Sequence, residues 1–490
     1  MFDGSLRKIE NVKEGDFVMG DDSGPRKVLY LHSGTDEMFE VKPKKGQSFV
    51  VTGDHLLSLK RTVSHRHRRG KPSVNRFVGD IVNVPTDEFM AKSRSFKMYH
   101  KLFRVAVKFP RRPVALDPYF LGLWLGDGNA TNTGITTADS EIVDYIYSFA
   151  HKHKMHHVTI DFHKNNKANS YKTTPGNVGA HGRNVVYNKL NLYNLFNNKH
   201  IPPEYLVNSR DIRLKTLAGL VDSDGYRNHE GYQFTLKHKQ LVDDIVYLCR
   251  SLGFAAYVST VTKTIKRLGF VGEYHQVNIS GDLSCVPCKL ERRKCAVRKQ
   301  IKGVLVTAIE SVSPVGRKKY YGFGVDGNQR FLLEDFTVVH NTVGALATAL
   351  LHTQKHGQPV KMAVIRDTLE NIKISVKLTM EEMLGSLVRF VDDNRQFRVD
   401  SDPPLTGNCL GIDDAAAMSR LHGMVGTSIF WIEEPAPIIH RANAGISEEV
   451  FNFCISRSTR GNVPALIMVS MNPGDENHWT YRRLIEAPDV

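Results

Sequence analysis

Two short segments, FLGLWLGDGN (120–129) and LAGLVDSDGY (217–226), each read as an apolar helix with small residues on one face, ending in Asp-Gly. Small residues let two helices approach closely, so Asp127 and Asp224 would meet at the bottom of a helix pair across a pseudo-twofold axis. Two carboxylates there can hold divalent metal ions beside two scissile phosphates. One such helix alone would be ordinary core packing; the matched pair in a basic chain favours chemistry. A second constellation is Thr52-Gly53-Asp54-His55 after one strand pattern and His340-Asn341-Thr342 after another. A hydroxyl and an imidazole three residues apart can polarise one peptide carbonyl and protonate its leaving amine. Asn341 can attack its own carbonyl through its side-chain amide and close a succinimide. His340 can assist by proton donation, and Thr342 offers an acyl-accepting hydroxyl. Thr-x-x-His alone reads as a surface turn; with the His-Asn-Thr run it points to peptide-bond cleavage without water.

A third set lies further on. Thr342 opens a helical run, as the hydroxyl residue ending a Gly-Lys-[Ser/Thr] phosphate loop does. If a Gly-Lys were joined before it by splicing, Thr342 would be its Mg²⁺-binding hydroxyl. The strand SIFWIEEPAP (428–437) ends in Glu433-Glu434, where one carboxylate can order Mg²⁺ and the next activate water. The strand ALIMVSMNPGDENHW (465–479) ends in a polar turn containing Asn472, placed to sense a γ-phosphate.

The elements that must carry these residues follow from the pattern. Residues 1 to 60 read as short strands: Phe17–Met19, Val28–Leu31, Met38–Val41 and Phe49–Val51. Residues 61–71, RTVSHRHRRGK, read as a basic linker, 117–285 as mixed α/β, and 303–340 as strands again, at Val304–Val306, Tyr320–Phe323 and Phe336–Val339. A β-domain interrupted by an α/β insert fits this order. After Thr342, helices alternate with the apolar strands Met362–Ile365, Ile429–Ile432 and Ala465–Val469, which implies a parallel sheet.

The first constellation resembles the LAGLIDADG homing endonucleases. The second copy is nearly the family motif, while Leu125 stands where an acidic residue often sits in the first. The resemblance implies cleavage of double-stranded DNA with Mg²⁺ at Asp127 and Asp224, with basic strands such as 261–267 facing the DNA. It makes Lys199, in NNKHIPPEYL (197–206), a candidate catalytic lysine. The second constellation resembles an intein, a Hint-fold splicing element, through DGSLRKIENVKEGDFVMGDD (3–22), VVTGDHLLSL (50–59) and YYGFGVDGNQRFLLEDFTVVHN (320–341). Inteins begin with Cys or Ser, whereas residue 1 here is Met. The expectation is that about one strand, with the first nucleophile and the preceding N-extein, is missing, leaving only Asn341 cyclisation. The third set, with MAVIRDTLENIKISV (362–376), resembles the ATPase of a phage terminase large subunit. That implies ATP and Mg²⁺ for the complete motor, partnership with a procapsid portal and the small terminase subunit, and the cytoplasm of a phage-infected bacterium. Glu433 stands where Asp is commoner.

The expected architecture is multidomain: an all-β Hint domain interrupted by an α/β endonuclease, then a partial α/β P-loop-type ATPase. The boundaries are 1–115 for the N-terminal Hint part with its linker, 116–290 for the endonuclease, 291–341 for the C-terminal Hint part and 342–490 for the ATPase fragment. A second reading takes the chain as a Hint autoprocessing protein with an inactive DNA-binding insert. Of 66 Lys+Arg and 51 Asp+Glu, 14 and 18 fall in 342–490, so that segment carries −4 and residues 1–341 carry +19. The basic field belongs to the first part and suits a polyanion such as nucleic acid. Six cysteines in 490 residues give no disulfide framework. Cys285, Cys288 and Cys295 lack a clear fourth ligand beyond His275, which disfavours structural zinc. No apolar run reaches the ~20 residues of a membrane span.

Overall fold

The computed structural model describes residues 1–490 except 54, 63–78, 154–156, 162–167, 175–183, 266–269, 299–302, 341–343, 413–416, 437–444, 460, 471–477 and 487–490. The chain forms two compact units, Met1–Asn341 and Thr342–Val490.

The first unit opens and closes with β-structure. Strand Pro25–Pro43 pairs antiparallel with Ile309–Val325, and with Phe17–Met19 and Phe49–Thr52. The two strands expected at Val28–Leu31 and Met38–Val41 are thus one continuous 19-residue strand. Its middle stays paired because the partner offers opposite charges, Asp36 facing Lys318 and Glu37 facing Arg317. Gly34 also leaves room for the Tyr320 ring, 2.8 Å from where a Cβ would stand. The strand expected at Val304–Val306 is shorter, Val306–Thr307. A second sheet orders Val306–Thr307, His100–Phe103, Leu56–Arg61 and Ile81–Pro85, and Arg330–Leu332 pairs with Val338–His340.

The α/β part lies between the two Hint-like ends in sequence. Helices Pro118–Asp127 and Arg210–Ser223 pack against each other at its centre. Each is followed by an antiparallel sheet: Ile135–Thr137, Asn169–Thr174 and His157–Asp161 after the first; Tyr226–Asn228, Gly231–Leu236, Phe270–Ser280 and Ala255–Ile265 after the second. A continuous core joins Phe120, Trp124, Leu217 and Val221 of the helix pair to Ile146, Ile245 and Val277. The two motif copies therefore head two similar halves.

The second unit is a six-stranded sheet ordered Val388–Val391, Gln396–Val399, Leu405–Gly411, Val360–Arg366, Ile429–Glu433, Leu466–Ser470. The last four strands run parallel, and apolar side chains fill both faces of the sheet. No described helix is long and apolar enough to cross a membrane.

Candidate functional site

The first motif helix starts at an Asp117 N-cap, whose carboxylate accepts from the amides of Tyr119 and Phe120, with Pro118 in the first turn. It ends at Asp127. The second ends at Ser223, and Asp224 caps it, its amide donating to the Leu220 carbonyl at 3.0 Å. The helices touch through bare backbone. A Cβ on Gly122 would lie 2.2 Å from the Thr216 carbonyl oxygen, and one on Gly219 would lie 2.2 Å from that of Tyr119. Only glycine fits at either position, and the close approach brings the two helix ends together.

The electrostatics at those ends are unusual. Burial, then the neighbouring charge of Asp224, pushes the Asp127 carboxyl up to about 6, and burial also raises Asp224. Lys199 reaches into the same place: its ammonium donates to the carbonyls of Gly126 (3.1 Å) and Gly128 (2.7 Å), over the Trp124 ring. Burial lowers its pKa to about 8 against the opposing pull of both carboxylates. A cleft lined by Asn197, Lys199, Asp224, Lys237 and His238 opens beside it.

Both carboxyls stay raised although Lys199 pulls the other way, and a divalent cation would add the positive charge that favours their ionised forms. Among the described residues there is no group of three or more His, Cys, Asp or Glu that could hold a metal ion. Two carboxylate oxygen donors would suit a hard cation that completes its shell with water and phosphate oxygens.

One cation near this centre escaped the sequence reading. Arg293 acts electrostatically on both Asp127 and Asp224, and its Nε is buried with no hydrogen-bond partner among the described residues. It sits in CKLERRKCAVRKQ, beyond the endonuclease boundary expected at residue 290. The structure ties that segment onto the motif helices. The Lys289 amide donates to Asp222 Oδ2 at 2.6 Å, and the Tyr119 hydroxyl donates to the same oxygen at 2.6 Å. The Lys289 ammonium lies over the rings of Tyr119 and Tyr145, at 5.2 and 4.9 Å. The buried first acidic residue of the second motif was the available signal; Leu125 replaces it in the first. Of the cysteines, Cys288 lies 3.6 Å from the Tyr232 hydroxyl.

Thr52 ends its strand and His55 precedes the next, with the Thr86 hydroxyl and amide donating to the His55 carbonyl at 2.9 and 3.0 Å. His340 ends strand Val338–His340. Burial, then the Arg330 and His55 charges, lowers its pKa to about 3, so the two imidazoles are electrostatic neighbours and His340 is neutral at physiological pH. Its Nδ1 is buried with no hydrogen-bond partner among the described residues. Arg330, opposite His340 in the strand pair, is held by Asp21 at 2.7 Å. Asn341 and Thr342 lie outside the described residues.

In the second unit Glu433 ends its strand beside the end of Val360–Arg366. Its carboxylate accepts from Arg366 Nη1 (2.9 Å) and Ser375 Oγ (3.1 Å), and burial raises its pKa. Glu434 follows with φ +47, its amide donating to the Ser470 carbonyl at 2.7 Å. Asn472 lies outside the described residues. Ligands of open parallel sheets bind at such carboxyl ends, where the connections diverge to either side of a central strand.

Residues 1–100 match the family of Hom_end-associated Hint domains, and residues 200–306 match the homing endonuclease family. Parts of the chain thus carry the sequence signatures of an intein-type Hint element and of a homing endonuclease. Among curated proteins it is similar to the replicative DNA helicase DnaB of Mycobacterium intracellulare, 33% identical over 265 residues, 51% of this chain and 40% of that protein. It is also similar to an ATP-dependent DNA helicase of Thermococcus kodakarensis, 23% identical over 278 residues, 51% of this chain and 22% of that protein. The chain spans less than half the length of either. Among solved structures, I-DmoI with DNA and Ca is 14% identical over 34% of this chain and 83% of its own, with a TM-score of 0.24. The large terminase of a thermophilic bacteriophage is 15% identical over 30% of this chain and 35% of its own, with a TM-score of 0.23. At these scores the structural likenesses carry no weight for fold or function.

Proposed function

We propose that residues 116–290, with the segment through Arg293, cleave double-stranded DNA at Asp127 and Asp224. The observation that carries this is the meeting of half-buried Asp127 and solvent-reached Asp224 at the ends of two glycine-packed helices, both carboxyls raised, with Lys199 anchored on the same helix end. Mg²⁺, when bound there, would polarise the scissile phosphates and lower the pKa of an attacking water. Asp127 and Asp224 would hold that ion, and its charge would keep them ionised. Lys199 stays anchored on the helix-end carbonyls, where its ammonium stabilises charge on the phosphate, and Arg293 does the same from the other segment.

In the same reading the parts 1–115 and 291–341 are one Hint domain. Thr52 and His55 would activate an N-terminal splice bond where a first nucleophile is supplied ahead of residue 1, and neutral His340 donates a hydrogen bond as Asn341 cyclises and releases Thr342. Residues 342–490 are part of a terminase-type packaging ATPase, with Thr342, Glu433, Glu434 and Asn472 at its nucleotide site. The parallel strand ends and the partly buried Glu433–Arg366 pair support that assignment. The complete motor's ATP, portal and small-subunit partners belong to the same proposal.

The test is nicking and linearisation of plasmid carrying an uninterrupted copy of the gene, with Mg²⁺. The parent chain cuts, and Asp127→Ala and Asp224→Ala do not. Binding without any cutting by the parent would favour the inactive DNA-binding insert.

A further inference from the structure

The endonuclease part reaches the splice strand directly. Phe336 stands four residues before His340 in a non-glycine left-handed conformation, φ +67, in the turn that feeds strand Val338–His340. A side chain in that region is strained unless its surroundings fix it. Its amide donates to the Leu333 carbonyl at 2.9 Å, and part of the packing around its ring comes from the endonuclease. The Phe336 ring packs on Tyr247, centroids 5.0 Å apart, and the two share a small apolar core with Val207, Val107 and Met19. Tyr247 belongs to helix Lys239–Ser251, which follows the second motif half. Its hydroxyl also donates to the Gly4 carbonyl at 3.1 Å, and Gly4 lies so close that a Cβ there would meet Val207 at 2.4 Å. One endonuclease side chain therefore touches the segments at both ends of the Hint element. Next to it, Asp335 accepts from the Thr337 amide at 3.0 Å and from Arg104 at 2.6 and 3.1 Å. Arg104 in turn lies 3.3 Å from the Tyr257 hydroxyl on endonuclease strand Ala255–Ile265.

We infer that Tyr247 is a positioning residue for the C-terminal splice reaction: by holding Phe336 left-handed, it sets the path of the strand that delivers His340 to Asn341. The inference rests on the Asn341 cleavage proposed above. The endonuclease part is on this account a component of the splicing site, independent of its own activity on DNA.

The test follows release of the 342–490 fragment from the purified full chain by intact mass. The parent releases it and Asn341→Ala does not; a parent that releases nothing overturns the proposed cleavage, and this inference with it. Tyr247→Ala slows release about tenfold, the size of one lost conformational restraint, and Tyr247→Phe stays near the parent rate. Phe336→Gly in the Tyr247→Ala background restores the rate, because glycine adopts the left-handed region without strain. A general loss of stability would instead be deepened by that second truncation. If Tyr247→Ala does not fold, Phe336→Ala against Phe336→Gly decides: the alanine is slow and the glycine near the parent. Release unchanged in Tyr247→Ala, or equal slowing by alanine and glycine at 336, overturns the inference.

Discussion

Asp127, half-buried, and Asp335, buried, are carboxylates of the same unit that desolvation pushes the same way, yet their pKa values shift in opposite directions. Asp335 is 5% exposed, and its pKa lies below the usual value although burial alone would raise it, because Arg104 sits on it at 2.6 Å. Asp127 is pushed up to about 6 by burial, with Asp224 beside it and Lys199 only partly opposing. Burial does not decide the charge state; the partner does. One site holds its cation within the chain, in Arg104. The other is built short of positive charge, which is the condition of a site that takes an ion from outside.

That contrast can be broken most severely from the satisfied side. Arg104→Met leaves Asp335 buried and unpaired, and should cost about 3–5 kcal/mol of stability by denaturant unfolding. On the open side, Lys199→Met should leave folding intact and slow DNA cleavage about 100-fold in single-turnover assays, the scale of one positioned acid–base or electrostatic group. Asp127→Asn should abolish cutting and yet stabilise the metal-free protein, by on the order of 2 kcal/mol at pH 7. The sign follows from the raised pKa. The folded state binds the Asp127 proton more tightly than the unfolded chain, so ionisation costs stability progressively from about pH 4 to 6. The gain in Asp127→Asn should therefore vanish when the unfolding is repeated at pH 4, and Mg²⁺ should reduce it at pH 7. For Asp335 the sign reverses. Its contribution is present above the unfolded carboxylate pKa and is lost as pH falls through the lower folded value, so the stability difference between parent and Asp335→Asn should narrow in acid. The smallest effect concerns His340: with its pKa held near 3, release at Asn341 should show no inflection due to this residue between pH 5 and 8.

What was legible in the sequence follows the same division. Asp127 and Asp224 end motifs whose glycine spacing is local, and the helices are formed by those same residues. Thr52, His55 and His340 were legible because each sits at the end of a short apolar strand. Arg293 was hidden because it lies past the boundary expected at residue 290; only tertiary contacts, the Lys289 amide on Asp222 and the Tyr232 hydroxyl on the Arg293 carbonyl, tie its segment to the second motif half. The Arg104–Asp335 pair spans 231 residues and joins the two Hint parts across the whole insert, a separation no local pattern encodes. The single long strand Pro25–Pro43 was split in the reading because Ser33-Gly34-Thr35-Asp36 has turn composition; the opposite strand overrides that preference with facing charges.

The backbone contact at Gly122 and Gly219 has a consequence for tolerance. Where two helices meet through side chains, a substitution in one is absorbed by rotamer changes in the other. Here the neighbours of any added Cβ are carbonyl and amide atoms, which have no rotamers. The span between Asp127 and Asp224 is therefore set by peptide geometry, like the jaws of a fixed caliper. On the proposed function, the halves around it could change the residues they turn to DNA while the gauge of the cut stayed constant.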